Sequence, residues 1–92
     1  MQLERMLDGA ASTPVAGRSA VTAADDMFEL GLAHSVGDGV PQDLVLAHKW
    51  LNLAAMRGSS RAREVRAEIA ACMTPGQIAE AQRLAREWRP AS

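Results

Sequence analysis

The sequence predicts an all-α fold of about four helices, arranged as antiparallel αα-hairpins. Three observations carry that prediction. Apolar residues recur at three- and four-residue spacing in successive stretches, which is the period of a helix with one buried face. Alanine is used heavily while the aromatics are only Phe28, Trp50 and Trp88, a composition that suits close-packed helices better than a sheet. Glycine and proline punctuate the stretches, and the first two are joined by a loop short enough to force antiparallel neighbours.

Each element follows from local signals. Leu3, Met6 and Leu7 could line a short amphipathic helix, but one this short is marginal in water. Gly9–Arg18 mixes Gly, Ala, Ser, Thr and Pro and reads as a linker, so residues 1–18 are expected to be flexible and 19–92 to form the domain. The first helix is predicted to start near Ser19–Thr22, with Thr22 and Asp25 as a weak capping box and Asp25 and Asp26 favoured by the early-turn dipole. Met27, Phe28, Leu30, Leu32 and His34 supply its apolar side, and it ends at Val36 before Gly37-Asp38-Gly39 and Pro41. Asp43 is a strong N-cap for the second helix, which carries Leu44, Ala47, Trp50, Leu51, Ala54 and Ala55 to a stop at Gly58, with Arg57 at its negative end. A third helix over Ser60–Cys72 turns Ala62, Val65, Ile69 and Cys72 or Met73 inward. Thr74 and Pro75 open a fourth that buries Ile78, Ala81, Leu84 or Ala85, and Trp88 before Pro90.

Ninety-two residues allow one domain with a modest core. The net charge of −1 offers no field to draw nucleic acid or an anionic membrane. Charge is nonetheless uneven: Ala20–Gly58 holds two basic and five acidic residues, Ser59–Ser92 six basic and four acidic. The six arginines of the second part form either a solvated face with pairs such as Glu80–Arg83 and Arg83–Glu87, or a surface for an acidic partner. A single cysteine, Cys72, provides no internal disulfide, and no Cys/His cluster suggests a metal. The first residues lack a long apolar run, so neither a signal peptide nor a membrane span is expected and a cytoplasmic location follows by default.

One block of the chain has a more specific pattern. Leu30-Gly31 is followed by Gly37-Asp38-Gly39-Val40-Pro41-Gln42-Asp43, then Ala47 and Trp50, then Ala54-Ala55, Gly58 and Ala62. Glycine at 31 lets a neighbouring helix approach, as do the small Ala47, Ala54 and Ala55. Gly37 and Gly39 allow a tight reversal, Gly58 the turn onward, and Trp50 is expected to fill the space that these small residues leave. From Ala24 to about Ala62 this resembles the Sel-one-like repeat, a relative of the tetratricopeptide repeat. Two positions depart from its usual form: His34 stands where an aromatic is common, and Ser59 where Asn or His is. The tail from Glu68 to Trp88 is similar to the closing helices of small bacterial members. The resemblance implies a tetratricopeptide-like αα-hairpin solenoid. Solenoids normally need about three repeats to bury a continuous core, so either the last two helices close it or two chains stack.

The chemistry-bearing residues have plain structural readings. Cys72 is expected to be a buried structural thiol. His34 is expected to be partly buried and hydrogen-bonded, and His48 exposed on the second helix. Asp25 and Asp26 point roughly 100° apart on a helix and cannot share a substrate easily. Gly37-Asp38-Gly39 has neither the following lysine nor the preceding strand of a phosphate loop. Trp50 reads as core, and Trp88 as core or as a contact with a partner or second chain. No catalytic set, cofactor site or metal site is therefore expected.

Members of the resembled family are mostly adaptors or scaffolds, which implies a protein- or peptide-binding role without catalysis. Hydrolase activity has been attached to relatives, but nothing here supplies its nucleophile and base. Contacts are expected at Asp26, Glu29 and Ala33 on the first helix, Arg63 and Arg66 on the third, and Trp88. The alternative is a self-associating unit, a homodimer without a separate client.

Overall fold

The computed structural model describes residues 15–89, and those residues form four helices and no strands. They are α1 (Val15–Val36), α2 (Leu44–Met56), α3 (Ser60–Ala70) and α4 (Pro75–Glu87). The short helix expected at Leu3–Leu7, like the linker up to residue 14, lies outside the described residues.

Helix α1 begins at Val15, several residues before the expected Ser19–Thr22. The stretch behind that expected start holds Ala16 and Ala20 and no proline, and Gly17 alone costs only about 1 kcal/mol of helix propensity. Thr22 therefore does not cap a helix start. Asp25 and Asp26 lie near the middle of α1, beyond the first turn where the dipole would favour them. At the other end, the amides of Gly37 and Asp38 both donate to the Ala33 carbonyl, at 2.7 and 2.9 Å, with Gly37 at φ 78°.

The connection to α2 is fastened at both ends. The Asp43 amide donates to the His34 carbonyl at 2.9 Å, and Gln42 Nε2 donates to the Ser35 carbonyl at 3.0 Å. Asp43 then caps α2 as expected, its side chain accepting from the Leu46 amide at 3.0 Å. Helix α2 closes in a Schellman motif: Ser59 N donates to Ala54 O, Gly58 N donates to Ala55 O, and Gly58 sits at φ 103°. Ser59, the departure from the repeat pattern, caps α3 by accepting from the Ala62 amide. Thr74 and Gln77 form a full capping box on α4, with Pro75 in its first turn.

Helix α3 ends at Ala70 rather than Cys72, because the Cys72 and Met73 amides turn back to Ile69 and Ala70 in a tightened last turn. That turn swings Met73 into the core and leaves Cys72 exposed, which corrects the expected buried thiol.

Helix α2 is the centre of the molecule and contacts each of the other three helices. Ala47, Leu51 and Ala54 are wholly buried, with Leu53, Ala55 and His48 nearly so. At roughly 100° per residue these positions span well over half of its circumference. Gly31 of α1 faces this helix so closely that an added Cβ would lie 2.7 Å from Leu51 Cγ. Leu51, not Trp50, therefore occupies the space opposite Gly31. Consecutive helical residues cannot both face α1, and Trp50 is turned toward α4 instead. It is half-buried there and meets Trp88 edge-on, with centroids 5.7 Å apart and planes at 73°. On α1, Met27 and Phe28 are buried as expected, whereas Leu30 lies at the margin, 36% exposed.

Candidate protein-binding surface

With Ala24, Met27, Phe28 and Gly31 committed to the core, the 3.6-residue period assigns the opposite side of α1 to solvent. Asp25, Asp26, Glu29, Leu32, Ala33 and Val36 share that side, within an arc of roughly 120°. The three acids and Val36 are exposed, and Leu32 and Ala33 are half-buried. The arrangement is polarised along the axis, with carboxylates toward the N-terminal end and apolar side chains toward the C-terminal end. Asp38 lies just beyond. Glu29, Leu32, Ala33, Val36 and Asp38 line an open groove of about 410 Å³. Among the described residues, none of these four carboxylates makes an ion pair.

A second open cleft, of about 550 Å³, lies between α1 and the α2–α3 turn. Asp25, Phe28 and Glu29 form one wall, Arg57 and Arg61 the other. The Arg61 guanidinium stands over the Phe28 ring at 5.1 Å. Glu29 borders both hollows.

The expected contact residues divide into two groups. Asp26, Glu29 and Ala33 come together on the outward side of α1. Arg63 is exposed on α3, but Arg66 is half-buried and donates from Nη1 to Asn52 Oδ1 of α2. Trp88 belongs to the seam between α4 and α2, where the Arg57 guanidinium also covers its ring at 5.3 Å. The expected arginine pairs form on the surface of α4, Arg83 with Glu80 at 2.6 Å and with Glu87 at 2.8 Å. Asp25, Leu32, Val36 and Asp38 were missing from the expected contacts. Asp25, Glu29, Leu32 and Val36 follow i, i+4, i+7, i+11 spacing, so the outward stripe was present in the sequence once the inward one had been placed.

The histidines also differ from expectation. His48 is buried at 4% exposure rather than exposed, because α2 has neighbours on several sides. His34 is half-buried, but its Nδ1, like that of His48, has no hydrogen-bond partner among the described residues. Burial, then the nearby positive charge of Arg66, lowers the His48 pKa below its usual 6.5. The unfolded chain therefore takes up a proton near pH 6.5 that the folded chain refuses until lower pH. Stability from this group is complete above that value and declines as the pH falls below it. Urea midpoints measured from pH 7.5 to pH 5 are expected to fall, and His48→Leu to flatten the decline. An equal slope in the variant would assign it to other groups.

Among the described residues no group of three or more His, Cys, Asp or Glu is placed to hold a metal ion. No helix among them is long and apolar enough to cross a membrane.

The described residues thus form a helical hairpin closed by two further helices, with a polarised groove on its outer helix. Residues 24–59, less than half of the chain, match the Sel1 repeat. The match ends three residues short of the Ala24–Ala62 span read from the motifs. Repeats of this family generally mediate protein–protein interactions. No curated protein and no solved structure matches the chain.

Proposed function

We propose that the chain is a non-catalytic scaffold that holds a partner protein along the outward side of α1. The observation behind this reading is the groove bordered by Leu32, Ala33 and Val36, with Val36 71% exposed on a helix whose other side is locked to α2. An apolar groove rimmed by charges suits a docked segment better than a reaction, since it brings no nucleophile beside a base. The cytoplasm is the proposed compartment, in keeping with a fold that uses no disulfide.

The test is affinity capture from extracts of the native host with the wild-type chain and the variant Val36→Lys. Val36 is 71% exposed at the end of α1, so the variant is expected to keep its helical content and melting temperature while losing a specific captured protein. Equal capture by both proteins would refute the assignment to α1. Self-association is the competing reading, and Met56, 72% exposed, is the feature that favours it. A sedimentation coefficient that stays monomeric with rising concentration ends that alternative.

A further inference from the structure

The charge pattern beside the groove selects among segments that could lie in it. Asp25, Asp26 and Glu29 stand at one end and Asp38 at the other, all exposed and, among the described residues, unpaired. Between them the surface is Leu32, Ala33 and Val36. From Asp25 to Val36 the helix rises roughly 16 Å, a span that an extended segment of about five residues covers.

We infer that the occupant is a short basic segment of another protein. One large apolar side chain sits over Leu32 and Val36, two or more Lys or Arg residues lie toward Asp25, Asp26 and Glu29, and one lies toward Asp38. This rests on the reading of α1 as the docking face and adds the chemistry and direction of what docks. Opposite charges at both ends fix the register, and the apolar contact supplies the anchor. Acidic segments would set like charges against four carboxylates.

Two occupants from within the chain fit less well. Residues 1–14 carry one basic residue, Arg5, against Glu4 and Asp8, so their net charge has the wrong sign. A second copy would have to present its arginine-rich side. There Arg83 is already paired with Glu80 and Glu87, and the large exposed apolar residues Leu30, Val36 and Met56 all lie on α1 and α2. The arginine-rich side therefore brings the charge without the anchor.

The test titrates the isotope-labelled full chain with three short synthetic peptides and follows its amide resonances. One peptide has a leucine flanked by Arg and Lys, the second replaces that leucine with serine, and the third flanks the leucine with Glu. Only the first is expected to shift the amides of residues 25–38. Its affinity is expected to fall about threefold or more between low and physiological salt. Asp25→Lys with Glu29→Lys is expected to weaken it about tenfold. Equally tight binding of the Glu-flanked peptide at the same amides would overturn the basic class and leave α1 as the docking face. If no peptide moves those amides while the captured protein is still lost on the Val36→Lys change, this inference alone fails. If that capture fails as well, both readings fall. Shifts of the same amides with protein concentration alone would assign the groove to a second copy and overturn the inference.

Discussion

Leu51→Ala is expected to lower the unfolding free energy by about 2–5 kcal/mol, the range for truncating a buried leucine whose surroundings collapse only in part. Leu51 is the largest wholly buried side chain among the described residues, on the helix that all the others touch. A domain of this size has roughly 5–15 kcal/mol to lose at most, and each kcal/mol moves the melting temperature by about 4–8 °C. A fall of about 10 °C or more in a circular-dichroism melt is therefore the expected result. A loss below about 1 kcal/mol would mean that the site closes over the cavity and that Leu51 is not the centre of the packing.

Gly31→Val is expected to produce the second large loss, and its sign is informative. Replacing a mid-helix glycine with alanine usually stabilises, by about 0.5–1 kcal/mol, and with valine by less. At Gly31 the new Cβ meets Leu51 Cγ at 2.7 Å, Leu51 Cδ2 at 2.9 Å and the Ala47 carbonyl oxygen at 3.2 Å. Leu51 Cγ is a branch point inside the core and the carbonyl is backbone, so neither can swing aside cheaply. Overpacking of this kind costs about 1–3 kcal/mol, enough to outweigh the gain in propensity. Combining Gly31→Val with Leu51→Ala gives the new methyl groups a cavity to enter. The double variant is expected to lose less than the sum of the two, by about 0.5–3 kcal/mol in chemical denaturation. Strict additivity would show that α1 and α2 do not meet at this pair.

The two turns, the Asp43 and Thr74 caps and the arginine pairs of α4 were all legible in the sequence, because each is decided within a few residues. Errors arose where the deciding partner is distant along the chain. His48 looked exposed because periodicity assumes one buried face, whereas α2 is covered on several sides. Trp50 looked like the filler for Gly31 because of its size, yet the rotation of α2 gives that place to Leu51. Cys72 kept the inward register of α3 on paper, but the last turn tightens and hands the position to Met73. On the candidate surface, Asp26, Glu29 and Ala33 lie on the outward side of α1. Arg66 looked available because nothing local reveals Asn52 across the interface, while Trp88, read as core or contact, packs against Trp50.

The position of α2 also bears on how this molecule comes apart. In an extended solenoid each unit leans only on its neighbours, so an end can fray while the middle survives. Here peeling away any one helix uncovers the one that the remaining two rest on. Opening should thus be a single concerted event, with the slowest-exchanging amides gathered in Leu44–Met56 and no long-lived half-open species.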